Sequence, residues 1–133
     1  MYKIAYLDKD IELTYISEII DLITSLVKNN PSTSPYLLSI TLNDKNTLRF
    51  GIGATPNHLL IFFHPYSNIE DCKISYNASL MCENSPTIKF LYPHSKYYFE
   101  CNEYNLLPFE LLIPHLHTIL INGNISCIPC YAH

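Results

Sequence analysis

The residues best suited to chemistry stand at the end of the chain, where Cys127-Ile128-Pro129-Cys130 forms a CxxC followed by His133. Two thiols with proline before the second suit a dithiol redox centre, provided that the first thiolate is stabilised at a helix N-terminus. Only Tyr131, Ala132 and His133 follow, too few for that helix. Cys127, Cys130 and His133, with His115 or His117 as a fourth ligand, also have the donor types of tetrahedral zinc. Residues three apart on a strand point to opposite faces, and His115 and His117 would stand about 200° apart around a helix. The expectation is therefore ordinary core and edge cysteines, with no metal, no cofactor and no catalytic residue. The sequence has no nucleophile elbow, phosphate-cradling glycine loop or HExxH. Gly51-Ile52-Gly53 sits between strands and reads as a bulge or a close packing contact. A small metal-dependent enzyme or ligand-binding domain built on the C-terminal Cys/His group is the alternative, and a structural or assembly subunit is another.

Aromatic and acidic side chains carry a different kind of chemistry, that of recognition. Tyr92, Tyr97, Tyr98, Phe99 and Tyr104 interleave with Glu100 and Glu103. On a strand from Lys96, Tyr97, Phe99 and Cys101 would face one way and Tyr98 and Glu100 the other. Exposed tyrosine supplies contact area at low entropy cost, and a neighbouring acid steers a basic partner. Glu70, Asp71, Glu83, Tyr98, Glu100 and Glu103 are accordingly the expected partner-binding residues, with Tyr98 as anchor. The formal charge is −4, and no lysine or arginine follows Lys96. A nucleic-acid binder needs Lys and Arg for phosphates, and Arg49 is the only arginine. A protein partner with a basic surface is expected, and direct nucleic-acid binding is not.

These residues need elements to position them. Ile16, Ile19, Ile20, Ile23, Leu26 and Val27 repeat at helical spacing, so a helix is expected over Ile11 to Asn29 with Thr14 as N-cap. A short strand over residues 2–7 precedes it. Leu38, Ile40 and Leu42, then Leu48, Phe50 and Ile52, alternate about Asn43-Asp44-Lys45-Asn46 and predict a hairpin. Leu59 to Phe63 is continuously apolar, as in a central strand covered on both faces. Weak strands are expected near 73–76 and 78–82, and stronger ones at Thr87 to Tyr92 and Lys96 to Cys101. A second helix follows over Pro108 to Asn122, with Gly123 closing it. Pro114 either kinks this helix or begins it. Ile125 to Tyr131 is expected to return as an edge strand.

At 133 residues the chain fits one domain, 1–133, of α+β class. Its mainly antiparallel sheet is expected to carry an N-terminal amphipathic helix and a second helix before a short C-terminal edge strand. Asp8, Lys9 and Asp10 interrupt the apolar N-terminus, and five unevenly spaced cysteines suit reduced thiols. No membrane segment is expected, and the compartment implied is the cytoplasm.

Leu48-Arg49-Phe50-Gly51-Ile52-Gly53 leads into the apolar strand Leu59 to Phe63. Leu107-Pro108 opens a helix that ends at Asn122-Gly123, and a terminal strand follows with Tyr131. In this order of elements the chain resembles bacterial immunity proteins, which are encoded beside polymorphic or contact-dependent growth inhibition toxins. The resemblance implies stoichiometric, non-catalytic neutralisation of a cognate toxin, a basic nuclease or deaminase. Two departures are that this chain has no tryptophan, on which the family often closes, and that Pro114 interrupts its second helix.

Overall fold

Leu59, Leu60, Ile61, Phe62 and Phe63 are buried without a break, so the strand that carries them has protein on both faces. The computed structural model describes residues 1–29, 34–42, 45–66, 72–80 and 84–132. In chain order its elements are β1 (Tyr2–Tyr6), β2 (Lys9–Leu13), α1 (Ile16–Lys28), β3 (Tyr36–Thr41), β4 (Thr47–Ile52), β5 (His58–His64) and β6 (Lys73–Ser75). There follow β7 (Thr87–Leu91), β8 (Tyr98–Asn102), β9 (Leu107–Pro108), α2 (Phe109–Asn122) and β10 (Cys130–Ala132). The class is α+β with a mainly antiparallel sheet, in the order β10-β6-β5-β4-β3-β1-β2. Strand β7 meets β3 in parallel at Tyr36 and Leu91, and pairs with β8 as a hairpin.

One face of the sheet packs on both helices. Ile4, Leu38, Ile40, Leu48, Phe50, Ile52, Leu59 and Ile61 form a core with Ile19 and Ile23 of α1 and Leu112, Leu116 and Ile119 of α2. The other face is covered by the β7–β8 hairpin, whose Phe90, Phe99 and Cys101 pack on Leu37, Leu60, Phe62 and Ile74. The seat of Phe90 is Gly51. A Cβ there would lie 2.8 Å from Phe90 Cε1 and 2.9 Å from Leu60 Cβ. Close packing, rather than a bulge, is therefore the role of this glycine.

A buried polar knot fixes the far side of the hairpin. Ser75 Oγ accepts from the Ile61 N–H at 3.0 Å and donates to the Asn105 carbonyl at 2.8 Å. Asn105 Nδ2 donates to the Ser75 carbonyl at 2.9 Å and to the Tyr131 hydroxyl at 3.0 Å. Its Oδ1 accepts from the Asn102 N–H at 2.9 Å. Both residues are buried, and mutual satisfaction is the condition on which such groups are tolerated inside. Together they tie β5, β6, β8 and β10.

Several local expectations change. Helix α1 starts at Ile16, because Asp10 and Glu12 alternate with Ile11 and Leu13 in β2, which pairs with β1 from Tyr2↔Leu13 to Tyr6↔Lys9. Thr14 is not its cap; Tyr15 is, and the Glu18 carboxylate accepts the Tyr15 N–H at 3.1 Å. Ala78–Leu80 is a single helical turn and not a strand, since the Asn77 side chain accepts from both the N–H and the hydroxyl of Ser79. The last strand begins only at Cys130, with residues 125–128 drawn into a turn by the Ile128 N–H on the Ile125 carbonyl. Pro114 lies within α2 and is exposed. The N–H it lacks would face the carbonyl of Glu110 in the first turn, and the helix runs on to Gly123 in the left-handed conformation (φ 68°).

Two substitutions test this packing. Ile23 is fully buried between α1 and the sheet, so Ile23→Ala is expected to cost about 2–5 kcal/mol, read from the denaturant midpoint. Gly51→Ala is expected to cost about 1–3 kcal/mol through overpacking against Phe90. Restoration by Phe90→Leu in the same chain would tie that loss to this contact, whereas additive losses would place its origin elsewhere.

Candidate functional site

The β7–β8 hairpin presents the recognition residues that the structure describes. Its inner face carries Phe90, Phe99 and Cys101, and its outer face Tyr98 and Glu100, so those two are brought together. Tyr98 is 56% exposed. Tyr97 does not share the inner face with Phe99 as strand alternation predicts; it precedes β8 and is 79% exposed. Its N–H donates to Ser95 Oγ at 2.9 Å and its carbonyl accepts from the Tyr92 N–H at 3.0 Å, so Tyr97 closes the turn. Glu103 is exposed beyond the far end of β8, in the single turn Glu103–Asn105. Glu100 is paired across the hairpin with Lys89, also exposed, which reduces the negative field that Glu100 offers. Glu70, Asp71 and Glu83 lie outside the described residues.

A second polar surface lies beside the hairpin, on the same face of the sheet. The register sets Asp10, Ala5, Ser39, Arg49 and Phe62 side by side across β2, β1, β3, β4 and β5. The next such row is Glu12, Lys3, Thr41, Thr47 and His64. Lys3, Ala5, Asp10, Glu12, Ser39 and Thr41 line a trough of about 570 Å³. The hairpin tip meets these rows twice. His94 Nε2 lies 2.8 Å from Asp10 Oδ2, with the His94 N–H on the Leu7 carbonyl, and the Tyr92 ring lies 5.6 Å from Arg49 Cζ.

Arg49 is partly buried, and no carboxylate among the described residues is within ion-pair distance of it. Its Nη1 donates to His64 Nδ1 at 3.3 Å, and its shielded Nε–H has no partner among the described residues. Burial pulls the guanidinium below its usual pKa, with Tyr92 opposing. Burial, then the Arg49 charge, pulls His64 down too, so the imidazole is neutral at pH 7 and presents Nδ1 as acceptor. Sequence reading used Arg49 only as the lone arginine that counts against nucleic-acid binding and as part of a strand motif, and gave it no site role. Its signal was its uniqueness; its neighbours come from four other elements and only the register assembles them.

The C-terminal cysteines are placed differently from a reactive pair. Cys127 is exposed in the turn, Cys130 is half-buried in β10 with its thiol 3.6 Å from the Ile125 carbonyl, and His133 lies outside the described residues. Burial pushes the Cys130 thiol up, against a thiolate role. Cys101 is pushed up to about 12, by burial and then by Glu100. Among the described residues no three His, Cys, Asp or Glu side chains gather as a metal site. No helix among them is long and apolar enough to cross a membrane.

No protein-family model matches the chain, and no curated protein matches its sequence.

The Arg49–His64 contact has a pH signature. The folded pKa of His64 is below the unfolded value of 6.5, so its neutral form contributes stability that is complete above that value. That contribution is lost as pH falls through the folded pKa, because the unfolded chain then binds the proton better. Denaturant midpoints measured down through pH 6.5 are expected to fall less steeply in His64→Gln than in the parent. Parallel profiles would remove the contact from the account.

Proposed function

We propose that this chain is a non-catalytic binding protein of the immunity type. In this reading it captures a basic toxin, a nuclease or deaminase, in the cytoplasm through the outer face of the β7–β8 hairpin. The observation that carries the reading is the pair Tyr97 and Tyr98, largely exposed at the tip of a hairpin whose inner face is anchored on the sheet. Large aromatic side chains held on a rigid support lose little entropy on binding and act as hot spots. The net charge of −4 favours encounter with a basic surface. Lys89 offsets Glu100, so in this reading the tyrosines supply most of the affinity and the acids mainly the association rate.

The test is co-expression with the C-terminal toxin domain of the exported protein that this reading expects to be encoded immediately upstream. A one-to-one complex that abolishes the toxicity of that domain is expected; free components, or a complex that leaves it toxic, reject the reading. Tyr98→Ala should speed dissociation about tenfold or more and leave association near its parent value. Glu100→Lys with Glu103→Lys should slow association and flatten its dependence on salt. Unchanged kinetics in both variants would move the interface off the hairpin, towards the exposed Glu18 and Asp21 on α1.

A further inference from the structure

Helices α1 and α2 pack together on one face of the sheet, yet they show solvent different outer surfaces. Helix α1 turns Ser17, Glu18, Asp21, Ser25 and Lys28 outward, the polar stripe expected of a helix that packs by one side. Helix α2 buries Leu112, Leu116, Ile119 and Leu120 and sets Leu111, Pro114, Thr118 and Ile121 on the opposite side. Leu111 is 63% exposed and Ile121 59%. A helix that is apolar all round is normally enclosed, and no described element covers this side of α2. Beside Leu111 opens a groove of about 400 Å³, walled by Leu107, His115, Ile128 and Tyr76.

We infer that two copies of this chain pair through the outer face of α2, the helices antiparallel about a two-fold axis between Pro114 and Thr118. The spacing of the stripe carries the choice of partner. Leu111, Pro114, Thr118 and Ile121 follow at intervals of three, four and three, steps that read the same from both ends. That is the seam spacing of paired helices, and reversing one helix leaves the register intact. Leu111 of each copy then meets Ile121 of the other and Pro114 meets Thr118, every contact being made twice as two-fold symmetry requires. The groove lies at the Leu111 end, and exposed Ile121 is about 15 Å away at the other. Each copy therefore brings its Ile121 to the mouth of the other's groove, and a side chain docked in a facing pocket is what anchors such contacts. Charge agrees with this choice. Copies with a net charge of −4 repel over most approaches, but Glu110 is the only carboxylate on α2. In the antiparallel pair the two Glu110 side chains stand at opposite ends, about 18 Å apart along the axis, each beside Asn122 of the other copy. The hairpin that carries Tyr97 and Tyr98 is on the other face of the sheet, so pairing leaves it free.

The contact is a few side chains on each copy, below the roughly 800 Å² per partner of standard stable complexes, so the pair exchanges with the monomer. Sedimentation of the full chain from about 10 µM to 1 mM is expected to show the mass climbing from one chain toward two. Leu111→Lys and Ile121→Glu, both at exposed positions, should each hold the protein as a monomer through that range. Unchanged denaturant midpoints in these variants keep a loss of folding from being read as a loss of pairing. Combined in one chain, the two substitutions place opposite charges at both ends of the seam and should restore the pair, more weakly at high salt. Failure to recover overturns the antiparallel register. A monomer at the highest concentration overturns the proposal, and so does self-association that survives Ile121→Glu or that Tyr98→Ala removes. Two other occupants of the face have their own outcomes. Flotation with phosphatidylcholine vesicles that Ile121→Glu abolishes would assign it to a lipid surface, and loss of toxin capture in Ile121→Glu would assign it to the toxin; either overturns the pairing.

Discussion

The contact of Phe90 with Gly51 is the constraint from which the arrangement of this molecule follows. A sheet with helices on one face still has a second apolar surface, here Leu37, Leu60, Phe62 and Ile74, that must be kept from water. The β7–β8 hairpin does this, and it reaches the sheet closely because β4 has no side chain where the Phe90 ring lies. Any larger residue would lift the hairpin from the sheet, and the apolar area buried beneath it would open. The buried Ser75–Asn105 knot holds the base of the same hairpin, and His94 on Asp10 and Leu7 holds its tip.

Docking the hairpin divides its side chains into two chemical populations. Phe99 and Cys101 go inward, and the thiol of Cys101 becomes inert as its pKa climbs. Tyr97 and Tyr98 are left outside on a support that cannot easily yield. An aromatic pair in that position is available to a partner with little ordering cost. The acids around it form a weaker field than their number suggests, since Glu100 faces Lys89.

The same docking creates the trough. The hairpin covers the centre of the sheet face but not the β1–β2 end, and there polar side chains that the strands alternate outward line the trough: Asp10 and Ser39 in one row, Glu12, Lys3 and Thr41 in the next. Arg49 lies at the boundary between dry and wet regions. There its charge is partly desolvated, against His64 and beneath the Tyr92 ring.

What the sequence determined by itself was local and periodic. The stripe Ile16, Ile19, Ile23 specifies α1, the alternation of Leu38, Ile40, Leu48, Phe50 and Ile52 specifies β3 and β4, and the unbroken run Leu59 to Phe63 specifies a strand buried on both faces. The left-handed Gly123 ends α2 where its position after Asn122 predicts. The sequence missed what depends on partners distant in the chain. Asp10 to Leu13 became β2 because β1 was available to pair with it, overriding its place before a helical stripe. Tyr97 left the strand pattern because Ser95 and Tyr92 drew it into a turn. Arg49, Ser39, Asp10 and Glu12 come from β4, β3 and β2 and acquire a common surface only through register, which no window of sequence contains. Periodicity records which side of an element is dry; it cannot record which other element makes it so, and that was decided by the tertiary fit of Phe90 onto Gly51.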